Sequence, residues 1–246
     1  MWIKICGITR PKDAVTAVEA GANAIGLNFF SGSKRCVSIK TAQEIVHVVR
    51  SRALPLPWGR LSECQLETEQ RQAGSLPHSV GLVGVFVNSA PDEILRISEA
   101  VDLNAVQFHG DESVADIAKV HASSPQLQLI RALRISSDRR QDCFDQLRDL
   151  QSHIELFAVL LDAFVPGEFG GTGVTVESQL VADYSAQNLP RLILAGGLTP
   201  DNVAETIAAC RPWGIDTASG VETSPGIKSF EKINRFMTEA RRAIAP

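Results

Sequence analysis

The pattern that decides the fold is complete by Asn28: the run Trp2-Ile3-Lys4-Ile5, a helical stretch from Pro11 to Ala20, then Ala24-Ile25-Gly26-Leu27-Asn28. Both flanking runs are short and mostly apolar, as strands buried on two faces are. Pro11 suits the first turn of the intervening helix, and Gly21 suits its stop. The unit then recurs, with β-rich apolar runs at Val80 to Val87, Ala105 to Phe108, Gln128 to Ala132, Phe157 to Asp162, Arg191 to Ala195 and Gly214 to Thr217. Helical patterns lie between them, two of them opened by Pro91-Asp92 and Pro200-Asp201. Strict alternation implies parallel strands. A doubly wound open sheet shares that alternation, but eight units in 246 residues favour a single closed (β/α)8 TIM barrel, for which about 250 residues is typical. One domain spanning 1–246 is expected.

The interval 51–79 breaks the rhythm, with Pro55, Pro57, Gly59, Gly74 and Pro77 set among Gln, Glu and Ser. It reads as a surface insertion between the second helix and the third strand. The chain closes on a basic helix, Ser229 to Ile244, whose Arg235, Arg241 and Arg242 are expected on a solvated outer face.

Hydrophobic residues make up 44% and charged residues 21%, enough apolar material for a large core and no case for disorder. A formal charge of −4 without a basic cluster argues against nucleic acid as a partner. No apolar run reaches the roughly 20 residues of a membrane span. Cys6, Cys36, Cys64, Cys143 and Cys210 show no C-x-x-C spacing, so they read as reduced thiols in a cytoplasmic protein, with neither a disulfide framework nor structural zinc. A barrel of this size is compatible with a monomer or a homodimer.

Barrel enzymes work at the carboxyl ends of their strands, so polar residues just past each run are the candidates for chemistry. Cys6 follows the first run, and Asp162 closes the otherwise apolar Leu160-Leu161 of the sixth. A thiol and a carboxyl facing each other across the mouth form an acid/base pair, burial suiting the carboxyl to donate a proton. The loops Pro166 to Gly173, Ala195-Gly196-Gly197-Leu198 and Ser219-Gly220-Val221 offer glycine backbone to an anion, so a phosphorylated small molecule is the expected ligand. Arg35 could grip a carboxylate with its fork. His109 could orient substrate or carry a proton. A Schiff-base aldolase would need a lysine at a late strand end, where Ala195 and Thr217 stand instead, and a pure binding barrel would need neither Cys6 nor Asp162.

The strings K-I-C-G-I-T (4–9), G-V-F-V-N (84–88), V-Q-F-H-G (106–110), L-L-D-A-F-V-P-G-E-F-G-G-T-G (160–173), L-A-G-G-L-T-P-D-N-V (194–203) and G-I-D-T-A-S-G-V-E-T-S-P-G-I-K (214–228) resemble, in order, the signature segments of the phosphoribosylanthranilate isomerase family. The resemblance implies an Amadori rearrangement of a phosphorylated aminosugar without cofactor or metal. It makes Asp162 the general acid and Cys6 the general base. It also places Arg35 on the anthranilate carboxylate and the backbone around Gly171, Gly196, Gly197, Ser219 and Gly220 on the phosphate. The chain departs from the family pattern at Ser33-Lys34-Arg35, where Ser-Pro-Arg is usual, and at Ser229, where Asp is usual.

Overall fold

The computed structural model describes residues 1–52, 79–133, 140–162 and 173–244. Eight parallel strands close on themselves: β1 (Trp2–Ile5), β2 (Ala24–Asn28), β3 (Gly81–Phe86), β4 (Ala105–Phe108), β5 (Gln128–Leu133), β6 (Ala158–Asp162), β7 (Leu192–Ala195) and β8 (Gly214–Thr217). The closing pair sets Lys4 of β1 opposite Asp216 of β8. The helices follow in the alternation the sequence predicts: α1 (Pro11–Glu19), α2 (Ile39–Arg50), α3 (Pro91–Val101), α4 (Val114–Ser123), α5 (Arg140–His153), α6 (Gly173–Ser185), α7 (Val203–Cys210) and α8 (Phe230–Ile244). A one-turn 3-10 helix at Ser219–Val221 and a small hairpin of β9 (Glu222–Ser224) and β10 (Ile227–Lys228) stand between β8 and α8.

Local chemistry places the helix ends. Pro11 and Pro91 open α1 and α3 at positions where the missing N–H costs nothing. Ser38 and Ser113 cap α2 and α4 by accepting from the N–H of Thr41 and of Asp116, each at 3.1 Å. Ser229, the departure from Asp, accepts from the Lys232 N–H at 3.2 Å and does the same for α8. Pro200-Asp201 does not open α7. The Asn202 side chain accepts from the Thr199 N–H at 2.8 Å and donates to the Gly197 carbonyl at 3.0 Å, which holds 199–202 as a turn and delays the helix to Val203.

Side chains alternate along each strand between two cores. Inward-facing Trp2, Ala24, Val83, Ala105, Ile130, Ala132, Ala158, Leu160, Ile193 and Ala195 fill the barrel, and the larger aliphatic core lies between strands and helices. The amino end of the barrel is plugged by aromatics: Trp2 stacks on Trp213 with centroids 5.6 Å apart, and Phe157 meets Trp213 edge-on at 5.5 Å. Of the three arginines of α8, Arg235 pairs with Asp201 and Arg242 with Glu239 on the surface as expected. Arg241 is exposed as well, and it donates to the Ala20 carbonyl at 2.7 Å, tying α8 to the end of α1. The inserted interval 51–79 lies, apart from its ends, outside the described residues, and so does Gly171.

Candidate active site

At the carboxyl end of the barrel, strand parity carries the same sequence positions inward that line the lumen below. On β1 the inward residues are Trp2, Lys4 and, just past the strand, Cys6; on β6 they are Ala158, Leu160 and Asp162. Cys6 is half-buried, its N–H donating to the Thr217 carbonyl at 2.8 Å. Its sulfur leans against β2, where a Cβ on Gly26 would lie 2.6 Å from Sγ, so the bare glycine makes the room for the thiol. Burial pushes the Cys6 thiol up from its ordinary value; the Lys4 ammonium pulls the other way, and the Asp216 carboxylate adds to the rise.

Across the mouth the Asp162 side chain keeps 23% of its surface exposed, and its Oδ2 stands 3.8 Å from Nε2 of His109. The His109 ring is fixed from the other side by the buried Gln107, whose Nε2 is 2.7 Å from Nδ1. With the Gln107 amide donating to Nδ1, the Nε2 proton of neutral His109 faces the carboxyl. The rim behind them is rigid: Glu112 accepts from the N–H groups of Asn88 and Gly110 and pairs with Arg131 at 2.6 Å.

Arg35 comes to the same mouth from the loop after β2, but one edge of its fork is already engaged. Its Nε and Nη2 donate to the two oxygens of Glu222 at 2.8 and 2.7 Å, and Lys228 Nζ donates to Oε1 of the same carboxylate at 2.9 Å. Burial alone would raise the Glu222 carboxyl, yet its bonds to Arg35 and Lys228 hold it below the ordinary carboxylate range. Its stabilising contribution is therefore present above that range and fades as pH falls through the depressed value. Of the five guanidinium N–H groups, the end-on pair of Nη1 and Nη2 remains for a ligand carboxylate. Glu222 thus aims Arg35 rather than cancelling it, since two cations and one anion leave the cluster net positive while Lys228 keeps its proton. Glu222→Gln should raise KM about tenfold with kcat within about threefold, the order of one charge-assisted contact; steady-state kinetics showing kcat falling with KM unchanged would contradict this aiming role.

The loops after β7 and β8 form the third part of the mouth. Gly196 and Gly197 both have left-handed φ, +90° and +64°, and no described atom lies within 4 Å of where a Gly197 Cβ would be. The β8 loop is stitched on top: Thr217 Oγ1 donates to the Leu198 carbonyl at 2.7 Å, and a Cβ on Gly220 would sit 1.8 Å from that same oxygen. Gly220→Ala must push the two loops apart and should cost about 1–3 kcal/mol, the usual range for overpacking. Chemical denaturation would check it, and a midpoint unchanged from the parent would contradict the close approach.

Cys6, Asp162, His109, Arg35, Gly196, Gly197, Ser219 and Gly220 are thus all at the carboxyl-end mouth. The sequence reading missed their supports, Lys4, Gln107, Asp216, Glu222 and Lys228. Lys4 and Gln107 were each marked as a single polar residue inside an apolar strand run, whereas Asp216, Glu222 and Lys228 stand among other polar residues and carried no such signal. Two cavities, of about 500 and 440 Å³, open at the opposite end beside His153, Glu155, Pro190, His121 and Arg191, away from these groups.

A thiol and a carboxyl held inward over one rim of a closed parallel barrel, with glycine turns beside them, define a candidate active site of a (β/α)8-barrel enzyme. The comparisons sharpen this class. The family model for N-(5'-phosphoribosyl)anthranilate isomerase matches residues 55–239. Among curated relatives, the isomerase of Trichlorobacter lovleyi is 35% identical over 98% of both chains, and that of Pseudomonas fluorescens Pf-5 is 39% identical over 98% of this chain and 95% of its own. Among solved structures, the Thermotoga maritima enzyme aligns at a TM-score of 0.74 and 34% identity, covering 98% of this chain and 99% of its own. A second structure, of the isomerase in complex with reduced 1-(o-carboxyphenylamino)-1-deoxyribulose 5-phosphate, aligns at 0.72 and 33%, with the same coverage. The chain belongs to the N-(5'-phosphoribosyl)anthranilate isomerase family, and it is an isomerase.

Proposed function

We propose that the protein catalyses the Amadori rearrangement of N-(5-phosphoribosyl)anthranilate to 1-(2-carboxyphenylamino)-1-deoxy-D-ribulose 5-phosphate, a step of tryptophan biosynthesis, by general acid/base catalysis. The observation that carries the reading is the placement of Cys6 and Asp162 inward at the ends of β1 and β6. Asp162 protonates the furanose ring oxygen, and the C1′–O bond breaks to give an open-chain iminium. Cys6, as thiolate, takes the proton from C2′, giving an enolamine. That enolamine regains a proton at C1′ and leaves a ketone at C2′. Electrons balance within the substrate, so the chemistry demands no external oxidant or reductant.

The rest of the mouth is assigned by ligand chemistry. The end-on edge of Arg35 takes the anthranilate carboxylate, and His109 keeps the Asp162 carboxyl oriented. Backbone N–H groups around Gly171, Gly196, Gly197, Ser219 and Gly220 take the 5-phosphate, a use of late barrel loops with ample precedent in this fold. The ligand bound in the related crystal structure has the carboxyphenylamine and 5-phosphate groups that this assignment needs. The test is consumption of freshly generated N-(5-phosphoribosyl)anthranilate, followed by loss of its fluorescence, with purified protein and chelator present. A first-order loss proportional to protein concentration is expected; a folded protein without turnover would rule the activity out.

A further inference from the structure

Besides Cys6, β1 sends a second polar side chain into the barrel. Lys4 lies two residues earlier on the same inward face and is completely buried, among a lumen otherwise filled by Ala24, Ile193, Ala195 and similar groups. Packing does not call for it, since such layers are ordinarily filled by branched aliphatics. Its counter-charge is Asp216, directly opposite in the β1–β8 register, with Nζ and Oδ1 3.0 Å apart. That contact is an ion pair without hydrogen-bond alignment, so Lys4 Nζ has no aligned hydrogen-bond partner among the described residues. A buried ammonium has three donors to place, and leaving them unplaced is costly.

The charged groups facing Cys6 narrow the choice of partner. Lys228 is bound to Glu222 at 2.9 Å and to the Ala218 carbonyl at 2.8 Å, and Arg35 is bound to Glu222 through Nε and Nη2. Asp216 and Glu222 are anions, and Asp162 and His109 stand across the mouth, engaged with each other and with Gln107. Lys4 is the cation, among the described residues, that is fully buried on the thiol's own inward strand face, with Asp216 as its counter-charge.

We propose that Lys4, anchored by Asp216 in the barrel lumen, is the counter-ion of the Cys6 thiolate and so the positioning residue beneath the general base. The proposal rests on Cys6 acting as that base. The electrostatics run the same way: burial works against the Lys4 charge, but Asp216 and Cys6 more than offset it and hold Lys4 above its ordinary value. Asp216 opposes the thiolate while fixing the ammonium, so the two members of the pair act on Cys6 with opposite sign.

That opposition is the test. Alkylation of Cys6 by iodoacetamide is followed against pH in the full chain, read at the Cys6 peptide by mass spectrometry so that the other cysteines do not interfere. Lys4→Met should move the alkylation midpoint up by about one pH unit or more, and Asp216→Asn should move it down by a comparable amount. Shifts in the same direction, or midpoints unmoved, overturn the proposal. If melting curves show that Lys4→Met does not fold, Asp216→Asn decides alone: a fall supports the pair, and anything else overturns it. Turnover is not read, so a failure of the proposed reaction would leave this result standing on its own.

Discussion

Cys6→Ala is expected to lower kcat/KM by on the order of 10² to 10⁴, the usual worth of a positioned proton-transfer group. Alanine removes the base and keeps the backbone, and the sulfur's place beside Gly26 becomes a small void, so the fold should survive. The parent enzyme should show a matching pH dependence. Because burial holds the thiol above its ordinary value, the thiolate is a minor species at neutral pH. The active form carries the Cys6 thiolate and the Asp162 proton together, so the pH profile of kcat/KM should be a bell whose alkaline limb is set by Cys6. Cys6→Ser is a sharper version, since a hydroxyl fits the space but ionises far above any usable pH, and it should lose both the rate and this alkaline limb. A parent profile without an alkaline limb, or an alanine variant within tenfold of the parent, would remove Cys6 from the chemistry.

The barrel was legible because its evidence is local and repeated. Each strand run and each helix start rests on neighbours in sequence, and the run boundaries missed by only a residue or so, as at Phe157 and Arg191, which precede β6 and β7. The start of α7 was misread because Pro200-Asp201 carries a helix-opening signal that the Asn202 side chain overrides with its own turn. The mouth was legible for a similar reason: a residue after a strand run needs only the barrel rule to be placed. Its supports were not. Lys4 looks like one polar residue in a buried strand until the closing register sets Asp216 beside it, and Arg35 looks like a free fork until β9 brings Glu222 to it. Such pairings join opposite ends of the chain, and only closure of the barrel reveals them.

Asp162→Asn should lower kcat by on the order of 10² to 10⁴ with little change in KM, because asparagine keeps the shape and hydrogen-bonding reach of the side chain but has no proton to give. Binding of a product analogue, measured by calorimetry, should stay within about threefold of the parent. The alternative acid is close at hand: His109 Nε2 stands 3.8 Å from the same carboxyl and can also carry a proton. The two are separable by comparing substitutions. If Asp162 is the acid and His109 only orients it, His109→Gln should cost about tenfold or less, since glutamine can still accept from Gln107 and donate toward Asp162. If His109 is the acid, the order reverses and the asparagine variant keeps most of its turnover. Geometry favours the first outcome, because His109 is tethered through Nδ1 to the buried Gln107 while Asp162 stands inward at the end of β6 with its side chain partly exposed.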